Sequence, residues 1–337
     1  MNDEYLWDRT GDDPEVAGLE RLLGGLAHDA PLAPLPPRSP RSPRGRWVAV
    51  AAVGLAAAAA AAYLVARRPG PPRCGSDTGF AFAIRGGAAR CGGGVATGRG
   101  VLPVGAWLET PADATADVTV ADIGALTLAG GSRLRLVATG AAEHRLELAA
   151  GALSARVTAP PRLFVVDTPA ARAVDLGCAY DLAVLADGRT RLTVTSGVVE
   201  LASHDRIAHV TVGATVTTVP GRGPGTPVRV DAPPALADAV ARYDAGDAAS
   251  LAPALAAAGA ADTLTVWNLL ANAPPPERAA VLARLDQLFP RPEWILERDV
   301  VAGQRAAIDG LRDVLTSAVW LAPSDDAPPD GRAPSKK

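Results

Sequence analysis

Hydrophobic and polar positions divide this chain into segments of different period. Residues 1–30 carry a helical pattern: Asp13-Pro14 reads as an N-cap followed by proline at the first helical position. Val16, Leu19, Leu22, Leu23 and Leu26 then recur on one face, with Glu15, Glu20 and Arg21 on the other. Residues 31–46 form a Pro/Arg linker. The stretch Trp47–Ala66 reads WVAVAAVGLAAAAAAAYLVA, twenty residues without a charge. A helix crossing a bilayer needs roughly 20 apolar residues. Trp47 and Tyr63 stand near its ends, where amphipathic rings favour the interface with lipid headgroups. We therefore expect a transmembrane helix over 47–66. A cleaved signal peptide and a buried alanine-rich helix are the competing readings.

Residues 67–100 are rich in Gly and Pro, show little periodicity, and are expected to be a linker. From 101 to 232 the pattern changes to short alternating runs such as Leu126-Thr-Leu128, Arg145-Leu-Glu-Leu148, Arg191-Leu-Thr-Val-Thr195 and His209-Val-Thr-Val212. Such runs predict a mainly-β domain, a sandwich, barrel or solenoid. A weak repeat, Leu-x-Leu/Val-x-x-Gly, occurs at Leu126–Gly131, Leu146–Gly151 and Leu192–Gly197, and reads as strand, glycine turn, strand. From 233 to 322 the period becomes helical and predicts a small all-α bundle. Residues 323–337 read as a disordered tail. The whole is a multidomain chain with a single transmembrane helix.

Charge sets the orientation. Arg38, Arg41, Arg44 and Arg46 precede the apolar run; Arg67, Arg68 and Arg73 follow it. This bias favours a cytoplasmic N-terminus and an extracytoplasmic C-terminal region, in an inner (cell) membrane protein. Residues 1–37 hold eight acids and two bases, so this segment could meet a basic protein or could be a solvated surface. The net charge of −3 predicts no direct attraction to nucleic acid, and lipid is the expected contact of the span and its arginines. The three cysteines, Cys74, Cys91 and Cys178, all follow the apolar run. On an oxidising side Cys74 and Cys91 are the expected disulfide, with Cys178 a buried thiol.

Catalytic chemistry is thin. His144 and His209 alternate with apolar residues and are expected to be exposed strand histidines. Asp167, Asp175 and Asp181 read as turn and surface acids. Gly221-Arg-Gly-Pro-Gly225 lacks the lysine of a phosphate loop, and no cysteine or histidine set has zinc-ligand spacing. We expect no enzyme, no cofactor and no metal.

Six strings occur in a fixed order: Trp107-Leu-Glu-Thr110, Gly131-Ser-Arg-Leu-Arg-Leu136, His144-Arg-Leu-Glu-Leu-x-x-Gly151, Pro161-Arg-Leu-Phe-Val-Val-Asp-Thr168, Val174-Asp-Leu-Gly-Cys-Ala-Tyr180 and Leu192-Thr-Val-Thr-Ser-Gly-Val-Val-Glu-Leu201. Together they resemble the FecR-domain family of single-pass, anti-sigma-type membrane regulators. The resemblance implies a FecR-like extracytoplasmic β domain that receives a cue from a protein or ligand. It also implies a cytoplasmic segment that binds a sigma factor. On this chain the partner-contact residues would be Trp7, Leu19, Leu22, Leu23 and Leu26. The alternative is a tethered structural or binding module of the cell envelope without a signalling role.

Overall fold

The computed structural model describes residues 14–23, 74–75, 78–203 and 206–320. It divides into two units, residues 1–68 and 69–337. In the first, helix α1 (Pro14–Leu23) carries Leu19, Leu22 and Leu23, all exposed. Trp7, Leu26, the Pro/Arg linker, the apolar run 47–66 and the tail 323–337 lie outside the described residues. Among the described residues no helix is long and apolar enough to cross a membrane.

The second unit begins with β strands. These are β1 (Phe80–Gly86), β2 (Ala89–Cys91), β3 (Gly94–Ala96), β4 (Arg99–Leu102), β5 (Trp107–Glu109) and β6 (Ala114–Val120). There follow β7 (Gly124–Leu128), β8 (Arg133–Thr139), β9 (His144–Val157), β10 (Phe164–Asp167), β11 (Arg172–Asp175) and β12 (Ala179–Val184). The last are β13 (Thr190–Ser196), β14 (Val198–Ser203), β15 (Arg206–Thr211), β16 (Ala214–Val219), β17 (Gly223–Pro224) and β18 (Val228–Arg229).

The strands form two faces. One face runs β4-β1-β6-β7-β9-β12-β13-β16-β18. The other runs β3-β2-β5-β8-β9-β10-β11-β14-β15. Strand β9 belongs to both, so the strands make one eighteen-stranded sheet, nearly closed and barrel-like. All pairings are antiparallel except β9 with β10. A solenoid of stacked parallel strands is therefore excluded for this region; its units are antiparallel hairpins placed alternately on the two faces. Leu126, Leu128, Leu134, Leu136, Leu146, Leu148, Leu182 and Leu192 point into one shared apolar layer and are fully or nearly fully buried. At about 1.5–3 kcal/mol for each buried leucine, this layer is the main stabiliser of the sheet.

The crossing points explain the sequence repeat. Gly131 lies between β7 on one face and β8 on the other, and Gly197 separates β13 from β14 in the same way. Gly151 lies inside β9. Before it Leu146 and Leu148 face inward; after it Leu153, Ala155 and Val157 do, so the two-residue alternation skips one position. The strand leaves β8 and β10 and joins β7 and β12 at this point. Gly151 has φ +81°, and a Cβ there would run into Ser132. Ser132 Oγ donates to the Ala152 carbonyl (3.1 Å) and accepts from the Ala152 N–H (2.9 Å), which locks the corner.

Four strands, β1 to β4, lie between Phe80 and Leu102, in the later part of the stretch expected to be a linker over 67–100. They were hidden by their brevity and their glycines. Phe80 and Phe82 are both buried, and Gly100 stands opposite Phe82, where a Cβ would meet its ring. A glycine that reads as loop thus makes room for an aromatic side chain. Cys74 and Cys91 form a disulfide, Cα–Cα 5.6 Å, which fastens residue 74 to β2; Cys178 is a buried free thiol.

The helices that follow are α2 (Pro234–Ala245), α3 (Leu251–Ala257), α4 (Thr263–Asn272), α5 (Pro275–Leu288), α6 (Glu297–Val301) and α7 (Arg305–Leu315). They are not a free-standing bundle. Eight of the ten residues of α4 are buried, because the helix lies between the β15 edge and the other helices. A helix apolar on all sides has to be covered on all sides. Asp244 of α2 ties the layers further, accepting from Arg206 (2.7 Å) and from the N–H (2.6 Å) and hydroxyl (2.9 Å) of Thr226.

Candidate functional site

Strand β15 ends its face of the sheet, and an open edge exposes unpaired N–H and C=O groups. Helix α4 closes this edge with side chains instead of another strand. Asn268, fully buried, accepts from the His209 N–H through Oδ1 and donates to the His209 carbonyl through Nδ2, both at 3.0 Å. One turn on, Asn272 Nδ2 donates to the Ile207 carbonyl at 3.2 Å. The amides copy the hydrogen bonding of a neighbouring strand.

This junction buries His209, in contrast to the exposed position its strand pattern suggested. Its ring meets the edge of Trp267 (centroids 5.1 Å apart), and Trp267 in turn meets Trp320 at 5.8 Å. Both indoles are anchored: Trp267 Nε1 donates to the Ile308 carbonyl and Trp320 Nε1 to Thr263 Oγ1, each at 3.1 Å. Burial is the main reason that the His209 pKa falls, to about 4; Arg312, Arg305 and Arg162 add to the shift and Asp313 opposes it. The ring is neutral near pH 7.

A cleft of about 380 Å³ opens beside this junction, between β14, β15 and the end of α7. Glu200, 7 % exposed, and His209, 4 % exposed, lie on its sheet side. Arg162 Nη2 donates to Glu200 Oε2 at 2.7 Å, while Glu200 Oε1 lies 3.6 Å from His209 Nδ1, beyond hydrogen-bond reach. On the helix side Arg312 pairs with Asp313 (2.8 Å) and Asp309 (3.2 Å), and Trp320 supplies an apolar wall. Clefts between packed layers, with a few convergent polar groups, are where small ligands usually bind. A larger groove of about 660 Å³ lies at one end of the sheet, but its charged groups, the Arg172–Asp167 and Arg189–Asp187 pairs, are all more exposed than Glu200 and His209.

The other histidine, aspartate and thiol side chains that the sequence raised, His144, Asp167, Asp175, Asp181 and Cys178, are dispersed over the sheet. His144 is buried too, where its alternation had suggested exposure; it packs on Phe80 (5.7 Å) and is hydrogen-bonded to Thr139 Oγ1 at 2.8 Å. Asp175 is buried at the corner between β11 and β12, accepting from the Gly177 N–H (2.6 Å) and from the Cys178 thiol. Burial raises the pKa of Asp175, and burial with the Asp175 hydrogen bond raises that of Cys178, so the thiol is held protonated. Asp181 is exposed and accepts from Ser154; Asp167 pairs with Arg172 and Arg145. The three aspartates have separate partners. Among the described residues no group of three or more His, Cys, Asp or Glu could hold a metal ion. Sequence patterns did not single out Glu200, Asn268 or Trp320. For the first two the available signal was a polar residue inside an apolar run: Asn268 in Thr-Val-Trp-Asn-Leu-Leu and Glu200 in Val-Val-Glu-Leu.

Residues 106–200 match the family model described as FecR protein, and the match runs along the sheet from β5 into β14. Glu200 is the last residue of that match; His209 and the helices lie beyond it. No curated protein matches the chain. Two crystal structures of a candidate anti-sigma factor from Parabacteroides distasonis ATCC 8503, at 1.65 and 2.50 Å resolution, are similar to it at 17 % identity, with TM-scores of 0.31 and 0.32. Each similarity covers 35 % of this chain and 56 % of that one, so the chain spans little more than half the length of these proteins.

Proposed function

We propose that the chain is a membrane-anchored regulator of the FecR type. In this reading residues 1–46 are cytoplasmic, Trp47–Ala66 cross the inner membrane, and the β region with its helices faces outward. A cue received outside changes the availability of α1 to a sigma factor, a shift between pre-existing populations. The protein acts by binding and not by catalysis. The observation that carries this reading is the FecR match over residues 106–200. Two features agree with it. The Cys74–Cys91 disulfide suits an oxidising compartment. The exposed Leu19, Leu22 and Leu23 offer an apolar stripe on an acidic helix, the kind of surface a partner covers; Trp7 and Leu26 would extend the contact.

The test is retention of a sigma factor by the full chain in solubilised membranes, compared with Leu19→Asp/Leu23→Asp. Retention by the unaltered chain and loss in the variant support the relay and assign the contact to the leucine face. No retention by either leaves a tethered envelope module.

A further inference from the structure

We propose that the cleft beside His209 binds a small zwitterion of the amino-acid type, with its ammonium on Glu200 and its carboxylate between Arg162 and Arg312. As a binding site this stands on the geometry of the cleft; as the cue it rests on the regulator reading above.

Each wall of the cleft presents a cation and an anion. The sheet wall has Arg162 and Glu200; the helix wall has Arg312 and Asp313. A ligand with one sign of charge would meet an opposing group on either wall, whereas a zwitterion satisfies both. Glu200 has already lost most of its hydration, and only Oε2 is held by Arg162. Among the described residues Oε1 has no hydrogen-bond partner, and it is not among the buried atoms sealed from solvent. It therefore faces the cleft as an acceptor, and an ammonium supplies the donor it lacks. His209, neutral near pH 7, adds a hydrogen-bonding ring without a charge. The Trp320 N–H is taken by Thr263, so the indole offers the cleft only its apolar surface, a seat for a small side chain. A ligand held in this way would bridge β14 and α7, linking the end of the FecR domain to the helices.

The experiment is titration of the purified full chain with free glycine, L- and D-alanine, valine and glutamate. It is followed by tryptophan emission, compared between the unaltered chain and Trp320→Phe to isolate the cleft's contribution among the six tryptophans, and by thermal melting. At least one amino acid is expected to change the emission saturably. It should also raise Tm by about 2–4 °C at tenfold excess over its Kd. Its N-acetyl and amide derivatives, each lacking one charge, should bind at least tenfold more weakly. Glu200→Gln should weaken binding about ten- to a hundredfold. Arg312→Gln, on a partly exposed helix surface, gives a second variant whose folding is less at risk, and should weaken it similarly. The proposal is overturned if no amino acid gives a saturable response, if the derivatives bind as well as the parent, or if both variants bind normally. Sigma-factor retention measured with and without the ligand separates the two ideas. Binding that leaves retention unchanged keeps the site and removes the relay; retention without binding removes the site alone.

Discussion

The β15–α4 junction and helix α1 both invert the usual placement of residues, in opposite senses. At the junction polar side chains are buried: Asn268, Glu200 and His209 all lie below a tenth exposed. On α1 apolar side chains are exposed, with Leu22 at 78 %. The junction resolves its inversion internally, because the Asn268 amide finds its partners in the His209 backbone and in the Leu264 carbonyl of its own helix. The leucines of α1 are covered by nothing in the described residues. A satisfied buried polar group fixes geometry, and an exposed apolar stripe awaits a partner. Mutations should therefore act on stability at the first place and on association at the second.

The largest effect is expected from Asn268→Leu. The change strands the His209 N–H and C=O in a dry interface, at about 1–3 kcal/mol for each group, so unfolding in urea should show a loss of roughly 2–5 kcal/mol. Gly151→Ala comes next. It forces a side chain into a left-handed conformation and against Ser132, for about 2–4 kcal/mol. Gly188→Ala, with φ +81° and open space, is the control and should cost only about 1 kcal/mol. The comparison fails at its first half if Asn268→Leu is as stable as the parent.

His209 provides a pH test of the same junction. In the unfolded chain its pKa is near 6.5; in the folded chain it is about 4. Between these values the unfolded chain binds the extra proton, so stability is fully present above about pH 6.5 and declines as pH falls toward 4. The full loss approaches ~3 kcal/mol, and His209→Gln should flatten this part of the pH–stability curve. Glu200, the nearest counter-charge at 3.6 Å, is already engaged by Arg162 and offsets little of this. The smallest stability effect, within about 0.5 kcal/mol, belongs to Leu19→Asp/Leu23→Asp, because nothing apolar is uncovered by it. If that variant unfolds the chain, the stripe on α1 is a structural contact and the contrast collapses.

Legibility followed the range of the forces involved. The leucine alternation of β7, β8, β9 and β13 was readable because burial on one face imposes a period of two. The repeat was readable as strand and turn at Gly131 and Gly197, but not as a passage between faces; at Gly151 the expected turn is a position inside β9. The passage depends on which strands lie on either side. Strands β1 to β4 escaped because elements closely interrupted by glycine owe their form to the strands they pair with, as Gly100 does to Phe82. His144 and His209 were misplaced for a related reason. Alternation tells which face a side chain occupies. What packs over that face, Phe80 on His144 and Trp267 on His209, turns expected exposure into burial.

The sequence by itself determined the β texture from Val101 to Val230, the helical texture after Pro234 and the amphipathic helix of α1, because each follows from local periodicity and backbone preference. Tertiary structure alone decided that α4 would close the β15 edge, that Glu200 would be buried beside His209, and that a cleft would open between them and α7. Those outcomes depend on hydrogen bonds and charges brought together from distant parts of the chain. His209 and Asn268 stand 59 residues apart, and no local pattern encodes such a pairing.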